Sequence, residues 1–196
     1  MQQHIPTTWA NTMNAQVEML RESLKDPANT KFVFLSESTI PLANFTDVYH
    51  KILEHPYSQF WYRENPFARR VFGKLKPETV FHNSQWVILN REDAELMAAD
   101  NEILPIMIQS PHDQEHYPST LLAHHKRLEK VVKKDLTFVY WPEENMPHPY
   151  EFTQLEDGKA VELLLNFINN KRFLFGRKFS SECDLAALNE FLPELY

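Results

Sequence analysis

KFVFLSESTIPLANFTDVYHKIL, residues 31–53, is the stretch whose reading decides the fold. Its first part, Lys31 to Leu35, is an apolar run of strand length, and Ser36, Glu37, Ser38 and Thr39 follow as a polar strand end. Asn44 then stands where a helix N-cap is needed, ahead of Phe45, Val48, Tyr49, Ile52 and Leu53 on one apolar side. Strand, polar loop and helix in that order form the unit from which α/β sheets are built. Asn44-Phe45-Thr46 also spells a glycosylation sequon, but no signal peptide precedes it, and the helix-cap reading is the simpler one.

The same alternation extends outward. Met13, Val17, Leu20 and Leu24 recur at helical spacing and Pro27 closes the segment, which predicts a helix over 9–25. Gln85 to Leu89 reads as a second strand, Asn90 as an N-cap, and Arg91 to Ala99 as a helix. Ile103 to Ile108 leads into an acidic loop, and Tyr117 to His125 is helical. Leu136 to Trp141 is a third strand, Val161 to Ile168 a helix and Arg172 to Phe175 a strand. Ser181 then caps a last helix with Leu185, Leu188 and Leu192 inward. Between them, residues 56–83 form a long aromatic and basic loop carrying Trp61, Tyr62, Arg63, Phe67, Arg69, Arg70, Lys74 and Lys76. With no repeat and no low-complexity linker, a single α/β domain over 1–196 is expected.

Composition narrows the function. A chain of 196 residues with 43% apolar and 24% charged residues is long enough for a sizeable core and excludes disordered and fibrous classes. Only 3 glycines accompany 13 prolines, which argues against a glycine-rich phosphate loop and leaves side chains to hold any nucleotide. Its 20 basic and 27 acidic residues give a formal charge of −7, so neither nucleic acid nor an anionic membrane is expected as a partner. One cysteine, Cys183, excludes an internal disulfide and fits a reducing compartment. The start, MQQHIPTTWANTMNAQ, has no basic and apolar leader pattern, and no run reaches the length of a membrane span, so the chain as written is expected in the cytoplasm or peripheral to a membrane.

Chemistry concentrates in SPHDQEHY, residues 110–117, where a loop rich in acid and imidazole runs into a helix with Glu115 at the junction. A carboxylate there is a candidate general base, and its plainer role is to complement the helix dipole. In order around it stand FVFLSESTIPL (32–42), NSQWVILNRED (83–93), FVYWP (138–142) and FLFGRKFS (173–180). Together these five blocks resemble the core-2/I-branching beta-1,6-N-acetylglucosaminyltransferase family with its plant and bacterial relatives, from about Trp9 to the C-terminus.

The resemblance implies a GT-A-like mixed sheet flanked by helices and an inverting transfer from a UDP-sugar, N-acetylglucosamine foremost, to a hydroxyl of an acceptor glycan. It implies Glu115 as the base, with Asp113 the competing choice because Gln114 separates the acidic pair. His116 and Tyr117 match aromatic positions that orient base or acceptor. Lys178 in GRKF matches a diphosphate-binding lysine, with help from Arg177, and no metal or other cofactor is implied. Where relatives often carry Arg, HPYEF has Glu151. Trp141 matches a tryptophan that touches the acceptor sugar, and Ser84, Gln85 and Trp86 match a Ser-x-aromatic entry to the second strand that borders the acceptor cleft in relatives. Ser36, Glu37 and Ser38 line the cleft. The plainer readings are core packing for Trp141, a solvated pair for Arg177 and Lys178, and a cap and turn for the serines.

Two other classes are carried. His112, Asp113, Glu115 and His116, with His124 or His125, are the ligand types of a hydrolytic metal site, although the HExxH order is absent. Relatives begin with a strand and helix unit that holds uracil and ribose, whereas this chain begins at the segment after it. It is therefore expected to lack the first nucleotide-binding unit, and a noncatalytic remnant binding a glycan or a partner is the alternative. Eukaryotic relatives are Golgi membrane proteins, and no membrane-anchoring run is expected within the residues of this sequence.

Overall fold

Asn44 and Asn90 both act as the helix caps their positions predict. Asn44 Oδ1 accepts from the Asp47 amide at 2.8 Å and Asn90 Oδ1 from the Asp93 amide at 3.0 Å, each answering one of the unpaired donors of a first helical turn. The computed structural model describes residues 5–8, 11–65, 75, 80–109, 111–143, 146–155, 158–170 and 172–190. Along it run α1 (Met13–Ser23), β1 (Lys31–Val33), β2 (Ile40–Pro41), α2 (Phe45–Leu53), β3 (Tyr62–Glu64), β4 (Phe81–Asn83) and β5 (Ile88–Asn90). They are followed by α3 (Arg91–Ala99), α4 (Leu104–Met107), α5 (Tyr117–His124), β6 (Thr137–Val139), α6 (Lys159–Asn169) and β7 (Phe175–Arg177). Short 3-10 turns lie at Asp113–Glu115, Leu128–Lys130 and Leu185–Glu190. The fold is α/β with sheets of mixed orientation, in two compact units: residues 1–34 with 55–134, and residues 35–54 with 135–196.

In the first unit β1 pairs antiparallel with β5 and β3 with β4. Met13, Val17 and Leu20 repeat at helical spacing and are buried with Ala94 and Met97 of α3, Phe32, Leu89, Tyr117, Leu121 and Leu122 in one core. Each fully buried large apolar side chain contributes about 1.5–3 kcal/mol. Arg91 fastens the chain after α1, donating to the carbonyls of Leu24 (2.9 Å), Asp26 (3.0 Å) and Asn29 (2.8 Å). The second unit holds the mixed sheet β2-β7-β6, with β7 antiparallel to β2 and parallel to β6. Phe138, Phe152, Phe179, Leu164, Ile168 and Leu188 build its core. Gly176 lies at the centre of that sheet, where an added Cβ would meet the Leu42 side chain at 3.1 Å.

Several elements differ from the sequence reading. On α2 only Val48 is buried, whereas Phe45 (77%), Tyr49 (50%) and Leu53 (40%) stay exposed and Phe45 stacks on Tyr49. The second strand begins at Ile88 because Gln85 and Trp86 form a bend. β7 starts three residues later than predicted, after Arg172 folds back over the rings of Phe167 and Phe173. The last helix is a 3-10 turn whose leading side-chain acceptor is Asp184, bonded to the Ala186 amide at 2.9 Å, rather than Ser181. Trp9, Leu192 and, in the basic loop, Phe67, Arg69, Arg70, Lys74 and Lys76 lie outside the described residues. Among the described residues no helix is long and apolar enough to cross a membrane.

Asp93, 3% exposed, joins three elements of the first unit: Oδ1 accepts from Arg127 Nε at 2.6 Å and Oδ2 from Ser58 Oγ at 2.5 Å. Asp93→Ala removes both bonds, leaving Ser58 Oγ its longer contact to Asn90 Oδ1 (3.3 Å) and Arg127 its pair with Glu92 (2.6 Å), and is expected to lower stability by about 1–3 kcal/mol. The check is a lower urea midpoint with an unchanged slope.

Candidate active site

The turn that carries Glu115 is held before its side chain is considered. His112 takes a left-handed backbone (φ 65°, ψ 34°), a conformation uncommon outside glycine, and so reverses the chain into the 3-10 turn. The Glu115 amide donates to His112 O at 3.0 Å and the His116 amide to Asp113 O at 3.1 Å. Asp113, 1% exposed, turns inward, and its Oδ1 accepts from the amides of Thr12 (3.1 Å) and Met13 (3.4 Å). A carboxylate there serves the open N-terminus of α1 in place of a local cap. Burial raises its pKa against these backbone hydrogen bonds. The competing base is thus a structural residue, and Glu115 is the outward carboxylate.

Asn83, fully buried, locks the turn from the other side. Its Nδ2 donates to Gln114 O at 3.1 Å and Ser84 O at 3.0 Å, while Oδ1 accepts from the Ser119 amide at 3.1 Å and Ser119 Oγ at 2.6 Å. Sequence reading gave Asn83 no role, although it is the first letter of a block that was singled out.

Imidazoles surround the Glu115 carboxylate. His82 Nε2 on β4 lies 3.6 Å from Glu115 Oε2, with side-chain exposures of 26% and 36%. The His82 and His116 rings meet edge to face at 5.3 Å. His116 is itself fixed by His112 O at Nδ1 (3.1 Å) and Asn65 Nδ2 at Nε2 (3.2 Å). Contact with His82 holds the Glu115 carboxyl below the usual range, with His112 and His116 adding to the effect and partial burial opposing it. Burial pushes His116 below the ordinary imidazole range. The result is an ionised, part-exposed carboxylate at a helix entrance, able to accept a proton.

Of the other residues predicted for this unit, Tyr117 is corrected. It is 0% exposed, and its hydroxyl donates to Asp100 Oδ2 at 2.9 Å, so it belongs to the core and no sugar can reach it. Desolvation raises its pKa, and Asp100 adds to the rise. Trp86 is only 8% exposed, while Ser84 and Gln85 are partly accessible. Among the described residues no three His, Cys, Asp or Glu side chains are placed to hold a metal ion.

The second unit gathers the other predicted residues. β6 and β7 run parallel with Val139 opposite Arg177, so Trp141 and Lys178 both leave the same end of the sheet. Trp141 is 49% exposed. The backbone of Lys178 is pinned between two segments: its carbonyl accepts from Phe152 N at 2.8 Å, and the next amide, Phe179 N, donates to Ser38 O at 2.9 Å. Ser36 Oγ lies 2.9 Å from Thr39 Oγ1 and 3.1 Å from Ser38 Oγ, a hydroxyl turn. Burial lowers the pKa of Arg177, with the charge of Glu37 opposing that shift. Lys178 Nζ lies 3.2 Å from Glu151 Oε1, so the carboxylate found in HPYEF is its counterion.

A model of the family described as Core-2/I-Branching enzyme matches residues 2–163. Among curated proteins, Glycosyltransferase BC10 of Oryza sativa subsp. japonica is 29% identical over 162 residues, covering 67% of this chain. The chain spans 41% of the length of that relative.

The depressed Glu115 carboxyl has a consequence for stability. A carboxyl whose pKa is lower folded than unfolded stabilises above the unfolded value, and loses that contribution as pH falls through the folded value. Glu115→Gln is therefore expected to be less stable than the parent at neutral pH. The gap between their urea midpoints is expected to close as pH drops through the carboxylate range.

Proposed function

Since the chain belongs to the Core-2/I-branching enzyme family, a family of glycosyltransferases, we propose that it supplies the acceptor-activating and diphosphate-binding residues of an inverting sugar transfer. The donor is a UDP-sugar, UDP-N-acetylglucosamine first among them, and the acceptor a hydroxyl of a glycan. The acceptor oxygen forms a bond to the anomeric carbon as the bond from that carbon to the diphosphate oxygen breaks, and the electron pair leaves with UDP. Glu115 takes the hydroxyl proton. Inversion in one displacement needs a single carboxylate base rather than the pair of a retaining glycosidase.

The observation that carries this reading is Glu115 itself: part-exposed, held ionised by His82 and mounted on a turn fixed from both sides. Lys178, with Arg177, neutralises charge on the leaving diphosphate, the role a divalent ion has elsewhere. Trp141 offers an exposed indole face to a pyranose ring. Ser84 and Gln85 border the acceptor, and Ser36, Glu37 and Ser38 line the cleft. One observation favours a second reading, a noncatalytic protein that binds a glycan or a partner: Glu151 already answers the lysine that a diphosphate needs.

Calorimetry with UDP and UDP-N-acetylglucosamine in EDTA separates the two. The transferase reading expects saturable binding that survives EDTA and weakens at least tenfold in Lys178→Ala. It also expects Glu115→Gln to bind the donor normally while transfer falls by about 10²–10⁴, the usual worth of a general base. A well-folded chain that binds neither nucleotide supports the noncatalytic reading.

A further inference from the structure

Resting on Glu115 as the base, we infer that His82 is its positioning residue, engaging carboxylate oxygen Oε2 through Nε2 and leaving Oε1 to take the proton of the incoming hydroxyl. The argument begins with the ring. His82 Nδ1 is buried and has no hydrogen-bond partner, while Nε2 faces Glu115 at 3.6 Å. A buried N–H without an acceptor is the least tolerated of unsatisfied groups, so the single ring proton belongs on Nε2. There it is aimed at the carboxylate. At 3.6 Å the contact is longer than a hydrogen bond. Catalytic contacts of this kind commonly tighten only when substrate is in place.

The ring has little freedom to turn away. The Trp61 and His116 ring centroids lie 6.1 Å and 5.3 Å from that of His82, both rings near perpendicular to it. Its strand is fixed by pairing with β3, in which His82 faces Arg63, and by Asn83 immediately after it. Among the described residues, the charged and titratable groups around the pair include Arg63 on β3, whose guanidinium lies over Trp61 at 5.8 Å, His112 and Asp113 on the turn, and His116. Asp113 is committed to the α1 amides, and both ring nitrogens of His116 have partners. His82, with Nε2 3.6 Å from Glu115 Oε2, is a ring placed to orient that carboxylate.

The test compares His82→Phe, which keeps a ring and removes the donor, with His82→Gln, whose amide restores an N–H near the Nε2 position. Nitrogen-15 NMR of the wild type is expected to show the Nε2–H tautomer. Carbon-13 titration of the Glu115 carboxyl is expected to move up in His82→Phe and return toward wild type in His82→Gln, with thermal melts confirming that both fold. In transfer from UDP-N-acetylglucosamine, His82→Phe is expected to lower kcat at least tenfold with donor KM within about twofold, and His82→Gln to recover most of the rate. The Nδ1–H tautomer, an unmoved Glu115 titration in folded His82→Phe, or equal loss of rate in both variants overturns the assignment. If Glu115→Gln still transfers sugar, the base reading fails, and the NMR titrations report the His82 contact separately from that failure.

Discussion

A buried primary amide is tolerable only when its hydrogen-bonding capacity is met, and in the first unit much depends on how that is done at Asn83. Two donors and one carbonyl oxygen reach the acidic turn, the next residue of its own chain and the start of α5. Removing any one partner leaves a polar group stranded where water does not enter. The cost of that stranding, rather than the modest net gain of each bond, makes the arrangement specific. Asp113 applies the same logic on the opposite side by serving the first amides of α1. Glu115 is thereby placed by buried groups whose polar atoms are turned inward.

In the second unit placement is achieved mainly by backbone pairing and aromatic packing. Phe152 and Phe179 stack at 4.8 Å, and the amides of Phe152, Phe179 and Ser180 donate to the carbonyls of Lys178, Ser38 and Phe152 respectively. The lysine therefore has a fixed root and a part-exposed tip. Its tip meets Glu151 at the surface, where an ion pair is worth little and an anion of higher charge density can compete for it.

Local signals were legible and distant ones were not. Asn44 and Asn90 could be read as caps because a cap and its amide lie three residues apart, and the bounds of α3 followed from that. The role of Asp113 could not be read, since its partners Thr12 and Met13 lie at the far end of the chain. Asn83 and His82 were missed for the same reason: their partners come from an element about thirty residues on, and one polar residue beside an apolar run carries no mark of which face it takes. Tyr117 shows the opposite error. Its match to an aromatic position of the family suggested contact with base or acceptor, but the ring is buried and its hydroxyl is bonded to the part-buried Asp100. On α2 the apolar period was clear, yet periodicity cannot say whether a surface exists to receive it, and Phe45, Tyr49 and Leu53 remained outside.

Adjacent positions on β4 carry opposite duties: His82 is turned toward the carboxylate and Asn83 into the interior. Side chains alternate along a strand, so a slip of one residue would exchange them. It would expose the amide that the turn needs and bury an imidazole that the carboxylate needs. The buried anchor of the turn and the ring beside its carboxylate are thus set by one strand register, and a single-residue insertion before His82 would reverse both.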